Sequence, residues 1–449
     1  MMLRIFSLIA TASLLVACGG GGSEQTVDYS ARKKGQVYYS YPADGQSGVS
    51  VHAPVVVQFS EPPELADQDV SLVGPDGPVD VVLSRADQDR SLVVTPQLPL
   101  AFNSEYRLQL TGMTLVGFSE GELAFTTGSA GKGPASDQQQ ADTFTVSQVS
   151  PSGDETRPLM DFSTLHVQFS QPLDTGTVDY GTTVRLEEEG GALVEAHALA
   201  GGNRLTVDPV DDLQPGQSYT LILDGALSSR FATGLSGDTE FPVNPQDSRP
   251  RETLALEAMA ADPVMGCNEE GVTLSPLSGA PINCVPLIAR LLGNTTVSKL
   301  SGDVFADLAF IPNYPDASPL RIRKGSLLKG EPLEVMIGGQ LPAGFDSGEV
   351  TVSFLSDATG YLLPTPYSAR PEAPRRLMLT LDLAFSTADS RANGAFTQRL
   401  MQVELVGRAI VEEGRMVIDA LGVVEPEVLG IETAFGVLSF HMESYQDQE

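Results

Sequence analysis

The sequence predicts an all-β protein: two tandem β-sandwiches built from one repeated unit, then a larger β-rich domain that is either a sandwich or a barrel. Three observations carry that expectation. The first is an internal repeat. Val57-Gln58-Phe59-Ser60-Glu61-Pro62 returns as Val167-Gln168-Phe169-Ser170-Gln171-Pro172, and Ser91-Leu92-Val93-Val94-Thr95-Pro96 returns as Arg204-Leu205-Thr206-Val207-Asp208-Pro209. Ser104-Glu105-Tyr106-Arg107-Leu108-Gln109-Leu110 then matches Gln217-Ser218-Tyr219-Thr220-Leu221-Ile222-Leu223, in the same order and at nearly the same offset. The second is a period of two. Val55, Val57 and Phe59 alternate with Val56 and Gln58, and Tyr106, Leu108 and Leu110 with Arg107 and Gln109, as half-buried strands do. The third is punctuation: short alternating runs are separated by Gly, Pro, Asp and Asn turns, and helix signals are nearly missing from the repeat.

Ahead of the repeat, Arg4 precedes an apolar run from Ile5 to Leu15, and Leu15-Val16-Ala17-Cys18 closes it. A charged start, a short apolar core and a small residue before the cut describe a secretory signal. The run from Leu3 to Ala17 falls short of the about 20 apolar residues that span a bilayer, and Gly19-Gly20-Gly21-Gly22 follows it. The Leu-Val-Ala-Cys setting resembles the lipobox of bacterial lipoproteins. That resemblance implies removal of residues 1–17, lipidation of Cys18 and a membrane partner reached through the lipid; an ordinary secreted signal is the alternative. Gly19 stands where enterobacterial lipoproteins kept at the inner membrane carry aspartate, so the resemblance implies the cell outer membrane, facing periplasm or surface. Residues 18–36 carry no apolar period and read as a flexible tether.

The first repeat unit covers 37–128 and the second 144–247. Residues 129–143 between them are rich in Gly, Ala, Ser and Gln and read as a flexible linker. Tyr106 and Tyr219 each follow a turn at the head of a late strand, a position that suits a tyrosine corner or a plain half-buried tyrosine. Pro42-Ala43-Asp44-Gly45, Gly48-Val49, the Val-Gln-Phe-Ser-Glu-Pro strand and Phe125-Thr126-Thr127 resemble the bacterial Ig-like domain named after the surface-layer protein SbsA. The second copy keeps Pro151 and Gly153 but has lost the threonine pair in Glu240-Phe241-Pro242-Val243. The resemblance implies spacer or display modules without enzymatic activity of their own.

Pro242 to Arg251 holds three prolines and reads as a stiffer connection to the C-terminal domain, 252–449. Val285 to Leu292 is apolar enough for two helical turns. From Val304 onward strands are expected at Gly348–Leu355, Leu377–Phe385, Met401–Ile410, Arg415–Val424 and Phe435–Tyr445. In the second of these Leu377, Leu379, Leu381 and Leu383 occupy every other position. Such a face requires either a facing sheet in the core or an apolar ligand.

Chemistry-bearing residues are sparse. The 58 acidic against 27 basic residues give a net charge of −31, which excludes nucleic acid as a partner. Beyond Cys18 only Cys267 and Cys284 remain. In an exported chain they are expected to form a disulfide, with free thiols or a metal pair as the alternatives. Gly117-Phe118-Ser119-Glu120-Gly121 matches a nucleophile elbow and Ser326-Leu327-Leu328-Lys329 a Ser-x-x-Lys pair. Neither has its companions or its strand-to-helix setting. His52, His166, His197 and His441 show no ligand spacing; His52 and His166 are expected to face solvent or a strand neighbour, and His441 shares a strand face with Glu443. Asp67 and Asp69, Asp87 and Asp89, and Asp208, Asp211 and Asp212 are loop clusters of the kind calcium uses. No catalytic residue, no cofactor and no specific metal site is assigned. The expectation is a non-enzymatic envelope lipoprotein whose modules display the C-terminal domain to a protein or envelope-polymer partner. The alternative is a carrier of lipid or another apolar ligand.

Overall fold

Each repeat unit folds as two facing sheets, antiparallel except that Gln46–Val49 of module 1 runs parallel to Leu123–Thr127. The computed structural model describes residues 36–115, 117–118, 121–129, 143–154, 156–237, 239–258, 267, 269–289, 293–309, 316–332, 334–337, 341–368, 373–389, 397–412, 415–428 and 432–445. The segments read from sequence as signal and tether, through residue 35 and including Cys18, and most of the expected linker lie outside them. In module 1 the strands Val37–Tyr41, Val55–Phe59, Ser91–Pro96 and Val81–Ala86 form one sheet in that order. Module 2 repeats it with Val146–Ser150, Leu165–Phe169, Arg204–Pro209 and Ala196–Gly201. The duplication extends to a flaw in the ladder. Val37 pairs with Phe59 and Val146 with Phe169, and in both copies the register slips before the next pair, Tyr39↔Gln58 and Gln148↔Gln168. Phe59 and Phe169 are fully buried in their respective cores.

Both tyrosines make the corner. The hydroxyl of Tyr106 accepts from the Ala101 amide at 2.8 Å and that of Tyr219 from the Gln214 amide at 2.9 Å, five residues upstream in each copy.

The C-terminal region is a barrel. Its wall strands are β1 (Arg251–Ala258), β2 (Gly293–Ala309), β3 (Ser318–Ile322), β4 (Leu327–Gly330), β5 (Val350–Phe354), β6 (Ala358–Leu363), β7 (Arg375–Thr387), β8 (Gln398–Glu412), β9 (Arg415–Val424) and β10 (Gly436–Tyr445). β3 runs on into β4, and β5 into β6, so each couple serves as one broken strand between the long β2 and β7. The wall therefore has eight members, all antiparallel, and closes because β1 pairs with both β2 and β10. Closure joins the first wall strand to the last.

Along β7 every second residue from Leu377 to Phe385 points inward. Leu377, Leu379, Leu381, Leu383 and Phe385 of β7 meet Leu256, Val304, Leu320, Val352, Ile418 and Phe440 in a single apolar core. The helix expected from Val285 is not formed: Cys284–Ala289 is a strand paired with β2, Cys284 opposite Lys299. A short apolar run is ambiguous by period alone, and on its other side this strand is bridged by Ile288 to Phe435. Cys267 and Cys284 are joined in a disulfide.

The modules lie against the barrel. Val55–Phe59 is buried on both faces, Val56 and Gln58 included, because the sheet face that alternation would leave to solvent packs on β8 and β9. Val406 and Leu421 of the barrel belong to the same apolar cluster as Tyr39 and Val57 of module 1. This differs from spacers strung in front of a separate domain.

Candidate ligand cavity

One end of the barrel interior is incompletely filled. A cavity of about 50 Å³ remains there, lined by Val, Leu, Phe and Pro side chains alone, among them Leu381, Leu383 and Phe385 of β7, Phe354 of β5 and Phe440 of β10. Its volume is several times the roughly 10–15 Å³ that one water needs, yet its wall offers nothing to hydrogen-bond. Of the leucine face read from sequence, Leu377 and Leu379 pack in the core, and Leu381 and Leu383 pack there and also border the cavity.

The polar residues gather outside the wall, where the modules dock. On β8 and β9, Arg408 donates to Asp419 at 2.9 and 3.1 Å and to the Gln58 side chain of module 1 at 2.5 Å. His441 Nδ1 lies 2.8 Å from Asp419 and its Nε2 lies 3.1 Å from Glu443, so the shared strand face expected for His441 and Glu443 is present. Burial opposes charge on His441, but the hydrogen bonds to Asp419 and Glu443 raise its pKa to about 9. Burial likewise opposes ionisation of Asp419, and Arg408 with His441 nonetheless hold its carboxyl below the usual range.

Module 2 is held by a second network. Arg251 reaches Asp161 and Asp212 at 2.9 and 2.7 Å, Arg321 reaches Asp212 at 2.8 Å, and Lys324 reaches Asp208 at 3.0 Å. Asp208 and Asp212, read from sequence as loop carboxylates suited to calcium, are instead matched by cations of the barrel. Asp87 is likewise used, by Gln58 at 3.0 Å and Arg90 at 2.6 Å.

Of the remaining histidines, His197 is exposed on the strand Ala196–Gly201, and the other two are packed. His52 stacks on Phe435, ring centroids 3.8 Å apart. His166 is buried, 3.2 Å from Thr206 Oγ1 on the neighbouring strand, and burial pushes its pKa down. The two serine motifs lie in other settings. Ser119 is outside the described residues, while Phe118 of the same loop stacks on Tyr367 of the barrel at 4.2 Å. Ser326 donates to the Arg323 carbonyl, and Lys329 sits in strand β4 facing Glu349 at 3.4 Å.

A sequence profile of the bacterial Ig-like domain matches residues 32–127 and again 140–241. Two bacterial Ig-like domains are present. Alkane uptake protein B of Marinobacter nauticus is 34% identical in an alignment that covers 98% of this chain and 44% of that protein. The chain thus spans less than half the length of this curated relative. Among solved structures, alpha-2-macroglobulin from Escherichia coli overlaps 70% of this chain and 93% of its own, at 9% identity and a TM-score of 0.21. The S-layer protein SbsC overlaps 87% and 64%, at 11% identity and a TM-score of 0.16. These overlaps are too slight to bear on chemistry.

Proposed function

We propose that this protein is an envelope carrier of an apolar chain, held inside the C-terminal barrel, with lipidated Cys18 as its membrane tether. The observation that carries this reading is the cavity. A site lined only by hydrocarbon side chains offers no partner to a headgroup, so its natural occupant is an alkyl chain. The relative named for alkane uptake supports the reading, because its similarity runs through barrel and modules alike. The leucine side chains that border the cavity swing aside as the chain enters, each buried methylene contributing about 0.8 kcal/mol. The Ig-like modules support it as well: each commits a sheet face to the barrel and stabilises a carrier.

Fluorescence titration of the full chain with a pyrenyl alkane, competed by hexadecane, tests the proposal. Leu383→Trp fills the cavity with apolar volume, and such overpacking costs about 1–3 kcal/mol of stability. Wild type is expected to bind and Leu383→Trp to lose binding while staying folded. Equal binding by both would place the probe elsewhere. The tether is tested separately: Cys18→Ala is expected to release the protein into the soluble fraction, and retention on membranes would refute that part.

A further inference from the structure

The barrel wall is not continuous. β8 and β9 pair from Glu412↔Arg415 down to Val406↔Leu421, and their ladder stops there. Yet β8 continues to Gln398 against β7, and β9 continues to Val424 against β10. Between these stretches the two strands run without a shared ladder. The near end of the gap is sealed by contact: a Cβ on Gly422 would lie 2.4 Å from Leu405 Cδ2 and 2.7 Å from the Glu404 carbonyl oxygen. The far end is sealed by a side chain. Gln398 Nε2 donates to the Glu427 carbonyl at 2.9 Å, and its Oε1 accepts from the Glu427 amide at 2.7 Å. That amide stands in for one rung of the missing ladder. What lies between is a slit.

On the outer side of the slit is a cleft of about 480 Å³ where both modules meet the barrel. Leu400 lines this cleft and also the interior cavity. Across the slit the chain alternates: Val423 and Glu425 face the cleft, while Val424 and Pro426 face the cavity. One layer of side chains therefore separates the two spaces. Both edges are fastened to the Ig-like modules. Gln46 of module 1 donates to Glu404 on the β8 edge at 3.1 Å, and Ser50 donates to Glu425 on the β9 edge. Arg204 of module 2 donates to the carbonyls of Met401 and Gln402 at 2.6 Å each.

We propose that this slit is a lateral portal through which an apolar chain passes between the intermodule cleft and the barrel interior, with Leu400 as its gate and the two modules as its frame. The proposal rests on the carrier reading. A closed end-to-end ladder would oblige a ligand to cross a packed barrel mouth. Here no backbone hydrogen bond between β8 and β9 has to break, only the Gln398 clasp to loosen and Leu400 to turn.

A gate changes association and dissociation by the same factor and leaves the affinity unchanged, so stopped-flow mixing of the full chain with a pyrenyl alkane tests it. Gln398→Ala removes the clasp outside the cavity lining and is expected to speed both rates by about tenfold at constant Kd. Leu400→Trp also fills the cavity that Leu400 lines, so for that variant only a slower association is expected. If Leu400→Trp fails to fold, Gln398→Ala alone decides. Binding by wild type with rates unmoved in Gln398→Ala overturns the portal and leaves the carrier standing. Failure of wild type to bind the probe at all overturns the carrier reading itself.

Discussion

Arg408 and Asp419 form an ion pair whose side chains are only 4% and 5% exposed, on the outer wall of the barrel beneath module 1. A buried pair adds little net stability, but removing one partner leaves the other uncompensated. Arg408→Met is therefore expected to cost about 3 kcal/mol in denaturant unfolding, and a loss near zero would mean that His441 alone suffices for Asp419. His441 adds a pH dependence. Its pKa in the folded chain, about 9, stands above the ordinary 6.5, so its contribution is complete below the ordinary value and is lost as pH rises through 9. The stability difference between wild type and His441→Asn should shrink across that window to a pH-independent remainder above it; a constant difference would contradict the sign. Nothing in the sequence announces Arg408 or Asp419, because their pairing depends on the β8–β9 register and on Gln58, 350 residues away in the chain. For Tyr106 and Tyr219 the corner was one of two readings, local enough to be offered because it is made within five residues.

The phase of alternation holds more than the presence of strands. Along β8 the core residues are Leu400, then Val403, Leu405 and Ala409, so the inward set changes from even to odd numbers. The change marks a bulge: Leu381 pairs with Val403 but Leu383 with Leu400, and the Gln402 amide is taken by Asp382 at 2.8 Å. Such a phase break is visible in sequence, whereas which neighbour β8 abandons is not. The leucine face of β7 was legible for the same reason, and Cys284–Ala289 was misread because it is too short to show a period. Gly422 tests the close approach of β9 to β8. Gly422→Ala is expected to cost about 1–3 kcal/mol, since the added methyl meets the Glu404 carbonyl at 2.7 Å; a neutral substitution would show that the strands yield there.

At the scale of the whole molecule, the repeat was legible as two sandwiches and the remainder as β-rich, but the choice of barrel over sandwich depended on β1 pairing with β10, the first wall strand with the last. The docking of modules on barrel was hidden too, because outward residues such as Val56 and Gln58 look alike whether solvent or another sheet covers them. The shared apolar cluster and the two polar networks couple the parts. Urea unfolding followed by far-UV circular dichroism and tyrosine fluorescence (the chain has no tryptophan) is expected to show one transition, and resolved steps would mean that modules and barrel unfold independently. The carrier account stands or falls on occupancy. Native mass spectrometry of the full chain after incubation with hexadecane, with Leu383→Trp in parallel, measures it directly. A stoichiometric mass increment in wild type that is absent from Leu383→Trp is the predicted result; two ligand-free spectra would contradict the account.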